Sequence, residues 1–327
     1  MFDQKTFLIT GGTGSFGQTI VNKLLEYNVK KVLVFSRDEA KQDFMREQLK
    51  DPRLTFILGD IRSSESVNSA LAGVDFLFHA AALKQVPTSE DFPWEFVQTN
   101  IEGTHNLLKG LENSSVEKAV FLSTDKAVYP VNAMGMTKAL MEKLVKSKKY
   151  SYSTIPVITR YGNVIGSRGS VIPYFIDSIK SFGKVKITNP NMTRFMMSLE
   201  ESVDLVLFAF ANGQSGDLFV QKSPAASVNS IVQALEIVMN KKNIEREEIG
   251  IRPGEKIHET LLTAEEKLSS VESQLYFQVR KNNSLSSNVN AFNSNTFLDY
   301  SSNNTKILSA EELAEILTKN YQVKKLL

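Results

Sequence analysis

Thr124, Asp125 and Lys126 set a hydroxyl, a carboxyl and an amine side by side, directly after an apolar run near 118–123. If that run is a parallel strand, the three groups stand at the C-terminal edge of a sheet, where open α/β folds bind their substrates. An adjacent Asp and Lys can act as acid and base only if Asp125 is substantially protonated and Lys126 substantially neutral. Burial favours both neutral forms and mutual attraction opposes them, so the two are expected to titrate as a pair. Met134 and Lys138 follow on the next helix-period segment and share a face at i, i+4. A thioether takes no proton, so Met134 reads as core filling, whereas the charge of Lys138 lowers nearby pKa values.

A second chemical signal is the run Gly11-Gly12-Thr13-Gly14-Ser15-Phe16-Gly17, between an apolar run and a helix-period segment. Gly11 suits a tight turn, Gly14 lets backbone N–H groups approach a pyrophosphate, and Gly17 lets the helix pack closely on the strand. This pattern predicts a dinucleotide site built from residues 11–17. The next strand ends in Ser36-Arg37-Asp38. There an acidic group would accept from a ribose 2′-OH, whereas Ser36 and Arg37 suit a 2′-phosphate, which favours NADP. Asp60 and Ile61 end the third strand and are expected near the adenine. Ala80 and Ala81, small residues after the fourth strand, let the backbone lie against a flat cofactor. His79 reads as a satisfied core histidine.

The elements that must hold these groups alternate in type. Strands are predicted near 6–10, 31–35, 54–58, 75–79, 118–123 and 155–160, and helices near 15–27, 38–49, 65–72, 92–112 and 133–148. That order predicts an α/β fold, a doubly wound parallel sheet of Rossmann type. Residues 1–165 are expected to form the dinucleotide-binding domain, completed by about 200–223 with a strand at Asp217–Gln221. Residues 166–199 and 224–327 are expected to form a smaller lobe with short strands and helices near 226–240 and 309–318. The Asn- and Ser-rich stretch 281–304 reads as a loop, a possible latch over a cleft between the lobes.

Composition narrows the function classes. The chain has 327 residues with 38 Lys and Arg against 36 Asp and Glu, a net charge of +2 with no long block of one sign, so nucleic acid is not an expected partner. With no Cys and only 3 His, none of them at zinc-ligand spacing, no metal is expected. The start of the chain lacks a secretory pattern and no stretch reaches the roughly 18 apolar residues of a membrane span, which predicts a cytoplasmic protein.

Taken together these runs resemble the extended short-chain dehydrogenase/reductase superfamily. Within it, Ser123-Thr124-Asp125-Lys126-Ala127-Val128-Tyr129-Pro130-Val131-Asn132-Ala133-Met134-Gly135 is similar to the inverting UDP-N-acetylglucosamine 4,6-dehydratases of capsule and O-antigen biosynthesis. His79 to Pro87, Thr159 to Val164 and Met192 to Phe195 agree with that group. The superfamily pattern is Tyr-x-x-x-Lys and this chain has Met134-x-x-x-Lys138, a departure the capsule branch shares. The resemblance implies C4 oxidation of the sugar by NADP, water elimination across C5 and C6, and hydride return to C6. It implies Lys126 as the C5 base, Asp125 as the acid at the C6 oxygen, Thr124 at the C4 hydroxyl and Lys138 at the nicotinamide ribose. For the sugar nucleotide it implies Asn163, Arg194, Arg252 and Glu255, the last two within a segment similar to the nucleotide-binding part of sugar-nucleotide enzymes, and Lys84 at the substrate edge. A homo-oligomer, with a hexamer as one form, is expected by the same resemblance. The rival readings are a UDP-sugar 4-epimerase, which needs no acid and base at C5 and C6, and a nonenzymatic NADP-binding sensor.

Overall fold

The structure, a computed structural model, describes residues 1–150, 153–281 and 298–327. β1 (Thr6–Thr10) is buried along its whole length. Its alternate residues serve two cores, Leu8 on one face of the sheet and Phe7 and Ile9 on the other. A strand buried on both faces reads as a continuous apolar run, which is why this one was legible. β2 (Lys31–Ser36), β3 (Leu54–Leu58), β4 (Phe76–His79), β5 (Lys118–Thr124) and β6 (Ile155–Tyr161) pair in parallel in the order β3-β2-β1-β4-β5-β6. This is the doubly wound Rossmann arrangement, whose ligand crevice opens where the order reverses, between β1 and β4. The strand Leu218–Gln221 then joins β6 in parallel.

The sheet goes further than the sequence suggested. Tyr276–Val279 pairs antiparallel with Leu218–Gln221, and Ser270–Glu272 pairs with Tyr276–Val279, giving nine strands. Both added strands come from a stretch read from sequence as smaller lobe. The expected helix 92–112 is also broken. Helices Val86–Asp91 and Pro93–Phe96 lead into a π-helical stretch Val97–Glu102 before the regular helix Gly103–Leu111. Pro93 stops the first piece, since it can neither donate nor fit inside a helix. Asn100, on the π-helical stretch, has a task of its own: its Oδ1 accepts from Leu83 N at 2.9 Å, and its Nδ2 donates to Leu83 O and Thr137 Oγ1, each at 3.0 Å. The wide turn thus fastens the loop after β4 to the helix Ala133–Lys146.

The other residues gather a separate apolar core that includes Phe175, Ile176, Ile231, Leu235 and Leu313. Its framework is a three-stranded sheet of Asn163–Val164, Thr193–Met197 and Ala225–Ser227. Of the segment expected as a latch, 282–297 lies outside the described residues. Among the described residues no helix is long and apolar enough to cross a membrane.

Candidate active site

A cleft of about 1080 Å³ runs along the C-terminal edge of β1 to β6. Gly11 begins its floor with φ +68°, and a Cβ there would lie 2.8 Å from Ala81 N and 2.9 Å from Ala80 C. A Cβ on Gly17 would meet Gly11 O and Gly12 Cα at 2.5 Å. No flexible side chain can give way at either place, so both positions must stay glycine for the turn and the helix start to pack closely. Gly14, whose Cβ would meet only Gly11 O at 3.1 Å, is the one that faces open space at the start of a helix, where backbone N–H groups suit a phosphate. Gly14, Ser15 and Phe16 complete this wall, with Ile61, Ala80 and Ala81 opposite.

Ser36 turns inward, its Oγ 2.9 Å from Thr13 Oγ1, and it accepts from Asp38 N. Arg37 stays more than half exposed at the cleft edge, 3.8 Å from Asp60. Asp60 is held chiefly by Arg62, at 2.7 Å; burial works against its charge, but the Arg62 hydrogen bonds outweigh it and keep the carboxyl below its usual pKa. Asp38 caps the following helix, its side chain accepting from Lys41 N, which is the alternative role an aspartate at that place can take. His79 is the core histidine expected of it. Its ring bonds Thr10 Oγ1 at 2.8 Å and Thr104 Oγ1 at 3.2 Å, and burial with the nearby Lys138 charge lowers its pKa to about 3.

The proton-transfer groups sit at the end of β5. Lys126 Nζ donates to Asp125 Oδ1 at 3.0 Å, and Thr124 Oγ1 lies 2.8 Å from the same oxygen. Thr124 and Lys126 line the cleft, whereas Asp125 has no exposed surface and stands behind them. Asp125 therefore presents no oxygen of its own to the cleft. Its Oδ2 is buried without a hydrogen-bond partner, beside Gly162. Desolvation, reinforced by the Glu259 charge, raises the Asp125 pKa, as an acid requires. For Lys126, burial lowers the pKa, but Asp125 and Glu259 together outweigh burial and raise it.

Met134 is 4% exposed and fills the cleft wall beside Lys138. Lys138 Nζ donates to Leu122 O, and burial brings its pKa down to about 8. Behind this wall lies an ion cluster that sequence reading missed. Arg160 donates to Glu142 at 2.6 and 3.0 Å and to Glu266 at 2.7 and 3.1 Å, and Ser123 Oγ donates to Glu142. One guanidinium thus ties the end of β5, β6, the helix Ala133–Lys146 and the helix Ala264–Leu268 together.

All the residues expected to hold a sugar nucleotide line the cleft: Lys84, Asn163, Arg194, Arg252 and Glu255. Asn163 Oδ1 and Glu255 Oε2 are buried there without a hydrogen-bond partner among the described residues. Lys84 is exposed at the cleft rim, where partial desolvation and the Arg168 and Lys126 charges lower its pKa. Arg194 donates to Thr193 O and Ile257 O. The structure adds Arg168, which donates to Thr13 O at 2.6 Å and so grips the glycine turn, and Glu259, 3.4 Å from Lys126. Neither belongs to a local spacing pattern. A residue before proline is biased to extended backbone, yet Tyr129 before Pro130 has φ +46°, with its hydroxyl donating to Asp299.

Comparison with known proteins gives this geometry a context. A protein of Rickettsia rickettsii (strain Sheila Smith) named UDP-glucose 4-epimerase is 48% identical over 329 residues, covering 97% of this chain and 96% of its own. The X-ray structure of Pen from Bacillus thuringiensis superposes with a TM-score of 0.90 at 36% identity, over 100% of this chain and 99% of that one. A UDP-N-acetylglucosamine 4-epimerase from Methanobrevibacter ruminantium M1, solved with UDP-N-acetylmuramic acid, has a TM-score of 0.68 at 25% identity over 77% and 87% of the two chains. The family model described as polysaccharide biosynthesis protein matches residues 7–281, and the chain belongs to that family.

Proposed function

We propose that the protein is an NADP-dependent, inverting 4,6-dehydratase of UDP-N-acetylglucosamine or a related UDP-sugar. The observation that carries the reading is the Asp125–Lys126 pair at the cleft, Asp125 buried and Lys126 half-buried, with Met134 where a tyrosine base would stand. The bare glycine turn fits a pyrophosphate, and Arg37 at the β2 edge favours a 2′-phosphate. When bound, the nicotinamide supplies a hydride acceptor at sugar C4 and a hydride donor at C6.

The chain's own residues then manage protons. With the C4 hydroxyl proton lost to solvent, the ketone at C4 acidifies H5. Elimination needs a base at C5 and an acid at the C6 oxygen, and a proton delivered to the opposite face of C5 completes the inversion as hydride returns to C6. Moving one proton along the 3.0 Å hydrogen bond from Lys126 to Asp125 creates both at once, a neutral amine facing the cleft and a protonated carboxyl behind it. Asp125 does not reach the cleft, so the Thr124 hydroxyl, which donates to Asp125 Oδ1 before the step, turns to donate to the departing C6 hydroxyl and takes up the Asp125 proton in exchange. The cations Arg194 and Arg252 face the substrate diphosphate, and Lys138 orients the nicotinamide ribose.

A second reading, a UDP-sugar 4-epimerase, is favoured by the name of the 48%-identical relative. It leaves the buried acid–base pair without a task, because hydride returns to C4 and no proton leaves C5. Incubation with UDP-N-acetylglucosamine in deuterium oxide separates the two. Loss of water with deuterium at C5 supports dehydration, and an isomer of unchanged mass without C5 exchange refutes it.

A further inference from the structure

Lys126 is flanked by a carboxylate that the pair chemistry does not need. Glu259 stands just before the strand Thr260–Leu262, far from β5 in the chain, and is 3% exposed. Its Oε1 lies 3.4 Å from Lys126 Nζ and its Oε2 3.3 Å from Lys256 Nζ. Lys256 also donates to Val128 O at 2.7 Å. The backbone of Glu259 is pinned on both sides: its N–H donates to Ser302 Oγ at 2.9 Å, and its carbonyl accepts from Ser302 N at 2.8 Å. One ammonium thus lies between two buried carboxyls, 3.0 Å from Asp125 and 3.4 Å from Glu259.

We propose that Glu259 is a positioning residue that holds the Lys126 charge in place of Asp125, and so sets the pH range in which the Asp125–Lys126 pair exchanges protons with substrate. The assignment of what those protons do rests on the dehydratase reading; the effect of Glu259 on Lys126 does not. The charged and titratable groups around Glu259 are Asp125 and Lys126 from the end of β5, Lys256 on its own segment, Arg194 from the strand Thr193–Met197, and His258, which is hydrogen-bonded to Thr193 Oγ1. Removing a negative charge at this range lowers the pKa of each neighbouring group by about 1–3 units. Lys126 loses a stabilising counter-ion and Asp125 loses a repelling one, so both move in the same direction.

The test compares wild type with Glu259→Gln and Glu259→Asp. Turnover of the UDP-sugar is followed against pH, and protein labelled with ε-13C lysine reports Lys126 directly by NMR, its resonance assigned by its loss in Lys126→Arg. Both limbs of the pH profile should shift about 1–3 units lower in Glu259→Gln, with the Lys126 resonance titrating correspondingly lower, and Glu259→Asp should fall between. A fall in rate with unmoved limbs and an unmoved Lys126 resonance would overturn the proposal, because a merely structural role changes amplitude and not position. If wild type epimerises instead of dehydrating, the functional reading fails while the Lys126 resonance still decides on Glu259. Should Glu259→Gln not fold, the smaller shift expected of Glu259→Asp carries the test.

Discussion

Gly135, in the first turn of the helix Ala133–Lys146, offers a sharp perturbation of the proton-transfer site. A Cβ at that position would stand 2.2 Å from Lys126 O, whereas ordinary contact begins at 3.4 Å. Gly135→Ala must therefore push the Lys126 backbone or the helix start by about an ångström, and neither contact atom is a flexible side-chain end. Alanine normally favours a helix over glycine by about 1 kcal/mol, and overpacking costs about 1–3 kcal/mol, so the net loss of stability should be small, about 0–2 kcal/mol. Activity should suffer far more, because a misplacement of about 1 Å costs on the order of 100-fold in rate. The control is Gly183→Ala: Gly183 has φ +71° with open space around it, and an alanine there costs about 1–2 kcal/mol without touching the cleft. Turnover of UDP-N-acetylglucosamine and NADP affinity are measured on both variants, beside urea unfolding. Gly135→Ala should bind NADP as wild type does and turn over on the order of 100-fold more slowly, and Gly183→Ala should keep its rate. Wild-type turnover in Gly135→Ala would refute the claim that the placement of Lys126 governs the reaction.

Three further outcomes are expected. Arg37→Ala should reduce the preference for NADP over NAD about tenfold, equivalent to about 1.4 kcal/mol, in paired binding titrations; an unchanged ratio would remove Arg37 from 2′-phosphate recognition. Arg160→Met leaves the buried Glu142 and the half-buried Glu266 without their common cation and should cost about 3–5 kcal/mol in urea unfolding, far more than an exposed arginine would. Lys138 has a folded pKa of about 8 against 10.5 for the free side chain, so between those values the unfolded chain holds a proton that the folded one has released. Its contribution to stability should rise with pH across that window and be lost as pH falls through about 8, and Lys138→Met should abolish this slope in urea melts at pH 8 and 10.

Much of this architecture can be read from the sequence for a simple physical reason. The β1, β2 and β4 strands are buried on both faces and the glycine turn sits at a strand-to-helix junction, so local pattern and tertiary role coincide. The legible part of the site follows from the same rule, since Thr124, Lys126 and Lys138 lie on one strand end and the helix after it. Glu259, Arg168, Asn100 and the Arg160 cluster were not legible, because each acts on a partner remote in sequence and none has a spacing that marks it. Tyr276–Val279 was hidden likewise: as a short strand added to the sheet edge by antiparallel pairing, its place depends on a neighbour that no local pattern names. The second carboxylate beside Lys126 was hidden for the same reason, since adjacent residues reveal one partner and the fold supplies two.

The central claim is that hydride leaves C4 and returns to C6 while the Asp125–Lys126 pair removes water. UDP-N-acetylglucosamine carrying deuterium at C4, incubated with the purified protein and followed by NMR, tests it most directly. The account predicts a dehydrated sugar nucleotide with a ketone at C4 and the deuterium in its C6 methyl group. Deuterium found again at C4, on an isomer that has lost no water, would contradict it and establish the epimerase instead.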